Sequence, residues 1–275
     1  MKKRNWFILA FLGMISLSSC FTEVDIDIPE QYPKLVVGSF INPEDLYITV
    51  VVKSSSPIFT TYEDIEIEEV LPNAVVTLSD GTNQINIPYV SGDDYYLIPM
   101  TDFPINYGGT YTLEVSVPGY ETVTATTTVP SSQPEFLENV VLEVDSVVQE
   151  YFSYIDYTMR FKWQDPSQET NYYRLYVEEA NSGAFINTDK FISDEGENGE
   201  VISTLGVIQA DMDGSGDAFR AFLINASEDY YLYHRSLTNL TYGDPFAEPT
   251  IVYSNVKNGL GCFGGYTSKQ VVFTP

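Results

Sequence analysis

The feature that most constrains the fold is a set of short segments in which apolar and polar residues alternate. In residues 110–115 (Thr-Tyr-Thr-Leu-Glu-Val) every second side chain is apolar, which is the period of a strand with one buried face. Residues 157–163 show the same alternation. Asp80-Gly81 separates two further segments of this kind and predicts a tight hairpin turn. Short strands between turn signals are typical of β-sandwiches, so the sequence predicts an all-β fold.

Turn signals divide most of the chain into two predicted β-sandwich domains. Residues 34–130 predict an N-terminal sandwich of the immunoglobulin or transthyretin type. The Pro- and Ser-containing residues 130–134 predict a linker. Residues 135–275 predict a second sandwich similar to a fibronectin type III module. In that segment Trp163 ends a predicted strand, and a Pro-containing loop and a Tyr-rich strand follow it.

One helix is predicted as an insertion in the second sandwich, near residues 228–239. The Ser227 side chain can accept hydrogen bonds from the amides of the first helical turn. Glu228 and Asp229 follow it, and acidic residues suit the positive end of the helix dipole.

The N-terminus predicts export and a lipid anchor. Residues 1–19 begin with three basic residues and continue with an apolar run, which is the layout of a secretory signal. The run is shorter than the ~20 residues that a membrane span needs. Residues 17–20 (Leu-Ser-Ser-Cys) match the bacterial lipobox, although an ordinary cleaved signal with a chance cysteine is the alternative. We therefore predict lipidation at Cys20, a tether over 20–33 and membrane attachment through the lipid.

The charge of the mature chain excludes one class of partner. Residues 1–19 carry three of the 13 Lys and Arg residues and none of the 39 Asp and Glu residues. The mature chain therefore keeps ten basic residues and has a formal charge of −29. Because such a surface repels a phosphate backbone, we expect no nucleic-acid partner.

The sequence predicts no catalytic residues and no cofactor. Lipidation of Cys20 leaves Cys262 as the only other cysteine, and its apolar, Gly-rich neighbourhood predicts a buried small side chain. His234 is the only histidine. It lies on the predicted helix without a Ser or Asp in a triad pattern, so packing or exposure is expected rather than catalysis. Carboxylate pairs of the kind that glycoside hydrolases use stay open as an alternative.

Two short motifs suggest sites for a metal and for a modification. The segment that begins at Asp211 resembles the start of a calcium loop, with Asp211, Asp213 and Asp217 as candidate ligands. The twelfth position should supply a bidentate Glu but is Phe222, so a β-turn is favoured over a metal site. Ser146 stands in an Asp-Ser-Val sequence that is similar to the O-glycosylation motif of bacterial envelope proteins, which makes it the candidate glycosylation residue.

Residues 259–264 (Gly-Leu-Gly-Cys-Phe-Gly) fit the spacing of a dinucleotide-binding loop. No helix is predicted to follow them, so the context of that motif is missing. The glycines instead predict close backbone packing or a bulge.

Several segments together resemble one protein family. They are the lipobox at 17–20, Lys-Leu-Val-Val-Gly at 34–38, Asn-Ala-Val-Val-Thr-Leu at 73–78, Gly-Thr-Tyr-Thr-Leu-Glu-Val at 109–115, Pro-Phe-Ala-Glu-Pro at 245–249 and Ser-Asn-Val-Lys-Asn-Gly-Leu-Gly at 254–261. They resemble a family of Bacteroidota outer-membrane lipoproteins whose domain has no known function. The resemblance covers essentially the whole mature chain, and its C-terminal part is the most specific. Cys262 departs from the family pattern.

The resemblance implies a location and a partner. Members of that family are often encoded beside TonB-dependent receptors, which implies an outer-membrane, lipid-anchored position at the cell surface. It also implies a non-enzymatic binding or accessory subunit, with a TonB-dependent outer-membrane receptor as partner and with an unidentified ligand. A structural or adhesive surface protein is the alternative, and a carboxylate-based hydrolase is a third hypothesis. The family supplies no catalytic residues to carry over.

Overall fold

A computed structural model describes residues 32–56, 70–138, 141–148, 153–167, 169–196, 198–211, 218–238 and 251–274. Strands make up most of the regular structure. They are β1 Leu35–Ile41, β2 Tyr47–Ser54, β3 Val75–Ser79, β4 Gln84–Ile87, β5 Tyr89–Val90, β6 Tyr95–Pro99, β7 Thr110–Ser116, β8 Val123–Thr128, β9 Val141–Val148, β10 Ser153–Gln164, β11 Tyr172–Glu179, β12 Phe185–Ser193, β13 Val201–Asp211, β14 Phe219–Ala226 and β15 Leu260–Phe273. One helix is described, α1 Glu228–Thr238. The prediction of an all-β, sandwich-like fold is confirmed.

The N-terminal sandwich forms from the alternating segments. A four-stranded sheet with the order β4-β3-β7-β8 packs against strands β1, β2, β6 and β5 of a larger sheet. Alternate side chains of β7, including Tyr111, Leu113 and Val115, are buried in the shared core. The Asp80-Gly81 turn joins β3 to β4, as predicted. The Asp80 carboxylate accepts hydrogen bonds from the amides of the residues that follow the glycine.

The C-terminal sandwich has a separate core. The three-stranded sheet β13-β10-β9 packs against β12, β11, β14 and the second half of β15. Trp163 of β10 and Tyr173 of β11 are fully buried, and their rings meet edge to face with centroids 5.3 Å apart. Trp163 and the Tyr-rich strand that predicted this sandwich therefore come from opposite sheets and meet in its core.

Strand β15 belongs to both sandwiches. Its residues 260–265 pair in parallel with β1, and its residues 266–273 pair antiparallel with β14. One eight-stranded sheet, with the order β12-β11-β14-β15-β1-β2-β6-β5, therefore runs through both predicted domains. Residues 33–275 form one compact unit. The predicted linker at 130–134 contains no strand, but the Ser132 carbonyl accepts a hydrogen bond from the Thr267 hydroxyl at 2.9 Å.

Glycines of β15 allow backbones to approach each other closely, as predicted. Gly261 has a φ of +105°, and a Cβ atom there would lie 2.0 Å from the Val37 carbonyl oxygen of β1. At Gly264 a Cβ atom would lie 2.9 Å from the Tyr230 Cβ of α1. Larger residues at these two positions would therefore push β1 and α1 away from the strand.

The helix forms where the sequence predicts it, over Glu228–Thr238, and residue 239 of the prediction lies outside the described residues. The Ser227 hydroxyl accepts a hydrogen bond from the Tyr230 amide at 3.3 Å, which satisfies one of the free donors of the first turn. The helix packs on β15 and buries Tyr230 and Tyr231. In the described part of the chain, no helix has the length and apolar character that crossing a membrane requires.

Candidate functional site

The candidate site is a cleft at the place where the two sandwiches meet beside β15. Its walls come from residues 126–130 at the end of β8, residues 169–172 at the start of β11, and residues 225–229 between β14 and α1. Its volume is about 310 Å³, which is at the small end of the range for small-molecule sites, ~300–1,000 Å³. We call it the junction cleft.

The backbone of Gly265 connects two walls of the junction cleft. Its amide donates to the Thr127 Oγ1 at 2.9 Å and to the Ser227 Oγ at 3.2 Å. Its carbonyl accepts from the Ser227 amide at 2.8 Å. A Cβ atom at this position would lie 2.9 Å from the Val129 Cα. Glycine is therefore needed for the N-terminal sandwich and the start of α1 to meet at this strand.

Asparagine side chains form the floor of the junction cleft. The Asn171 Nδ2 donates to the Asn225 Oδ1 at 3.3 Å, and the Asn225 Nδ2 donates to the Ser132 carbonyl at 3.5 Å. Asn171 is only 2% exposed, and its Oδ1 has no hydrogen-bond partner among the described residues. A buried acceptor without a partner costs about 1–3 kcal/mol, so the floor of the cleft lacks one hydrogen-bond donor.

Three carboxylates give the junction cleft its charge. They belong to Glu169, Glu228 and Asp229, and the described residues that line the cleft include no Lys, Arg or His. The Ser131 hydroxyl donates to Glu169 at 2.5 Å. Glu228 and Asp229 occupy the first turn of α1, where the helix dipole favours negative charge. The cleft therefore presents negative charge and hydrogen-bond acceptors.

Tyrosine hydroxyls hold two of these carboxylates in place. The Tyr253 hydroxyl donates to the Asp229 Oδ1 at 2.6 Å, and the Tyr172 hydroxyl donates to Glu228. Burial raises the pKa of both tyrosines, and the neighbouring carboxylates raise it further. Both phenols therefore stay protonated at neutral pH and remain hydrogen-bond donors.

A buried pair of carboxyl groups, Asp165 and Asp194, lies behind Asn171. The Asn171 amide donates to the Asp194 Oδ2 at 2.9 Å. Asp165 accepts from the Tyr173 hydroxyl and from the Gly199 amide, each at 2.7 Å. Burial raises the pKa of Asp194 above its ordinary value; the hydrogen bond from the Asn171 amide opposes this rise, and the neighbouring Asp165 adds to it. The two side chains are 2% and 1% exposed, so they do not present an acid pair to a solvent-borne substrate.

The only histidine and the only cysteine besides Cys20 have packing roles. His234 stacks on Tyr230 with centroids 4.0 Å apart and packs against Phe40. Burial lowers the His234 pKa to about 4, so the ring is neutral at physiological pH. Cys262 is 0% exposed, and burial raises the pKa of its thiol well above the ordinary value. The prediction of a buried cysteine is confirmed. For His234, the sequence left packing and exposure open, and the structure shows packing.

The other predicted site residues fall partly outside the described chain. Asp211 is the last residue of β13, whereas Asp213 and Asp217 lie outside the described residues. Within the described ranges, no group of three or more His, Cys, Asp or Glu side chains could hold a metal ion. Ser146 lies in β9, and Cys20 lies outside the described residues. Calcium binding, glycosylation and lipidation therefore stay predictions.

The sequence analysis did not identify the junction cleft. Its walls are far apart along the chain. Ser227, Glu228 and Asp229 were identified only as the cap and the first turn of the predicted helix. The available signal was the pair Gly264-Gly265 inside an apolar C-terminal strand, because glycine within a strand often marks a close approach of another backbone.

The comparisons with known proteins assign a family and no function. No curated protein sequence matches the chain. Among solved structures, a chain of a cytokine receptor complex (crystal form 1A) is 13% identical, and the match covers 71% of this chain and 85% of that chain. Its TM-score is 0.25, so the likeness carries no argument about function. A family model described as "Domain of unknown function (DUF4249)" matches residues 22–271, and the chain therefore belongs to the DUF4249 family.

Proposed function

We propose that this protein is an outer-membrane-anchored surface lipoprotein that acts as a non-enzymatic binding or accessory subunit of a TonB-dependent transporter. The anchor is the lipid on Cys20, and the Bacteroidota lipoprotein resemblance supplies the location and the partner. The observation that carries the binding role is the junction cleft. It is lined by hydrogen-bonding side chains and bounded by elements that β15 holds together.

The chemistry of the described side chains supports binding over catalysis. His234 is neutral and stacked between aromatic rings, and Cys262 is buried as a protonated thiol. The carboxyl pair Asp165–Asp194 is enclosed and engaged by backbone and tyrosine donors. A hydrolase would need an acid and a base that reach the substrate, and neither Cys262 nor the Asp165–Asp194 pair is exposed to solvent.

A structural or adhesive surface protein is the second candidate. The shared strand β15 favours it, because a sheet that continues through both sandwiches makes a stiff spacer. The long strand β13 also presents Val201, Leu205 and Val207 to solvent. A row of exposed apolar residues on a sheet edge is suited to protein contact.

The partner is tested by a pull-down of the tagged full-length protein from native membranes in mild detergent, with mass spectrometry of the eluate. An unrelated tagged lipoprotein of the same membrane controls for proteins that share a micelle. We expect a stoichiometric TonB-dependent receptor with this protein alone. Elution without a receptor would contradict the stable-subunit proposal and favour the structural or adhesive role.

The anchor is tested by metabolic labelling with a radioactive fatty acid. The wild type should incorporate the label, and Cys20→Ser should not, because the oxygen nucleophile does not replace the thiol that accepts the lipid. Protease treatment of intact cells should remove the protein if it faces outward. Label in Cys20→Ser would contradict the anchor, and protection from protease would contradict the surface location.

A further inference from the structure

We infer that the junction cleft binds an ammonium or guanidinium group. This inference rests on the proposed binding function and assigns a ligand chemistry to it. The carboxylates of Glu169, Glu228 and Asp229 line the cleft, and no basic side chain stands among the described residues that line it. An anion such as phosphate would meet three like charges without an Arg or Lys partner, which excludes it on electrostatic grounds.

The floor of the junction cleft also calls for a hydrogen-bond donor. Asn171 is almost completely buried, and its Oδ1 has no partner within the described part of the chain. The Nδ2 of the same amide already donates to Asn225, so the acceptor oxygen is the atom left without a bond. Ammonium and guanidinium groups have only donors, and they match this acceptor as well as the carboxylates.

The positive end of α1 does not reverse this preference. A helix N-terminus carries about half a positive elementary charge. The carboxylates of Glu228 and Asp229 in the first turn outweigh it, and Glu169 adds a third negative charge from the opposite wall. The net field in the junction cleft therefore favours a cation.

Tyr172 supplies an aromatic wall for such a ligand. Its ring packs against Tyr231 with centroids 5.2 Å apart, which fixes its position. Cations are attracted to the face of an aromatic ring, and the alkyl chain that carries an ammonium or guanidinium group can pack against the same surface. The volume of about 310 Å³ suits a small amine or one basic side chain of a peptide.

Isothermal titration calorimetry of the detergent-solubilised mature protein tests the inference. The probes are agmatine, the tripeptides Gly-Arg-Gly and Gly-Gln-Gly, both acetylated at the N-terminus and amidated at the C-terminus so that only the Arg side chain carries a positive charge, and inorganic phosphate. We expect saturable one-to-one binding of agmatine, of Gly-Arg-Gly or of both. We expect no binding of Gly-Gln-Gly or of inorganic phosphate. Binding of both cations would indicate recognition of the cationic group alone. Binding of Gly-Arg-Gly without agmatine would indicate recognition of a basic side chain within a peptide.

Isosteric variants locate the binding. Glu169→Gln and Asp229→Asn keep the oxygen atoms that accept from Ser131 and Tyr253 and remove only the charge. Each should weaken the affinity about tenfold, as expected for a charge-assisted hydrogen bond. The matched control is Glu114→Gln, which removes the same charge from the exposed face of β7 and should change the affinity less than twofold. Thermal unfolding checks that every variant is folded.

Two results would overturn the inference. One is that neither agmatine nor Gly-Arg-Gly shows saturable binding. The other is an equal loss of affinity in Glu114→Gln and the cleft variants, which would indicate attraction to the acidic surface as a whole. Failure here is distinguishable from failure of the proposed function. If the receptor is captured but no cationic probe binds, only the assigned ligand chemistry is wrong. If a cationic probe binds but no receptor is captured, only the proposed transporter partnership is wrong.

Discussion

The amide nitrogen of Gly265 lies 2.9 Å from the Oγ1 of Thr127 and thereby joins β15 to the end of β8. The same amide also donates to the Ser227 Oγ at 3.2 Å. One donor thus serves two acceptors, one from the N-terminal sandwich and one from the cap of α1. Because Thr127 is buried, loss of its oxygen is not compensated by water.

We expect Thr127→Val and Ser227→Ala to be energetically coupled, because each leaves the other acceptor in place. Each single variant should lower the free energy of unfolding by about 1 kcal/mol. The double variant should lose about 1 kcal/mol more than the sum, since only then does the amide lack an acceptor. Urea denaturation of the wild type, the two single variants and the double variant measures the free energies of unfolding for this double-mutant cycle. Thr126→Val, on the exposed face of the same strand, is the control and should change stability by less than about 0.5 kcal/mol. Strict additivity would contradict the shared-donor arrangement.

Gly265→Ala should be strongly destabilising, whereas Gly38→Ala should not. A Cβ atom at 265 would approach the Val129 Cα to 2.9 Å, but a Cβ atom at 38 would have nothing within 4 Å. Forced repacking of this kind costs about 1–3 kcal/mol. Alanine in place of a strand glycine that has free space is neutral or stabilising by up to about 1 kcal/mol. Urea denaturation measures the free energy of unfolding of both variants. Similar values would contradict the close approach of Gly265 to Val129.

The local parts of the fold could be predicted from the sequence because their causes are local. The Asp80-Gly81 turn, the alternation in β7 and the Ser227 cap each depend on residues a few positions apart. The pairing of β1 with β15 could not be predicted, because Val36 meets Leu260 in a parallel register that no short pattern encodes. The two sandwiches were therefore expected as separate domains, and the strand that connects them was not.

The candidate site was less predictable than the fold. Its chemistry depends on Glu169, from the loop before β11, on Asp229, from the first turn of α1, and on a missing hydrogen bond at Asn171. Burial and hydrogen bonding of that kind follow only from the packed structure. The apolar neighbours of Cys262 predicted its burial correctly, whereas the sequence left His234 open between packing and exposure because no local pattern decides between them.

The buried carboxyl group of Asp194 should make stability depend on pH. Its pKa is raised in the folded protein, mainly by burial, so the folded state binds this proton more tightly than the unfolded state. The stabilisation is present below the unfolded pKa of about 3.9 and is lost as the pH rises through the folded value. We expect Asp194→Asn to gain stability relative to the wild type as the pH rises from about 4 to 7. The exposed Asp93→Asn is the control for thermal unfolding across this range. A constant difference between Asp194→Asn and wild type would contradict the raised pKa.

The charged group of Arg174 lies within an aromatic cluster beside α1, which is formed by Tyr176, Phe191 and Tyr230. The Arg174 guanidinium makes two hydrogen bonds of 2.9 Å to the Asp189 carboxylate and one of 3.3 Å to the Tyr230 hydroxyl. Its charged carbon lies 5.1 Å from the Tyr176 ring centroid and 5.5 Å from that of Phe191. The ion pair is therefore largely removed from water, and its partners are fixed in position.

We expect Asp189→Asn to lower the free energy of unfolding by about 3 kcal/mol, because it leaves the Arg174 charge buried without its counter-charge. The double variant Arg174→Met, Asp189→Leu should recover most of this loss, since replacing both charges removes the need to desolvate them.

Lys162→Gln is the matched control. Its ion pair with Glu138 has a similar length of 2.8 Å, but the two side chains are 36% and 42% exposed, so it should change stability by less than about 1 kcal/mol. Urea denaturation at neutral pH measures all three. Equal effects of Asp189→Asn and Lys162→Gln would show that water reaches Arg174 and that the aromatic cluster does not enclose it.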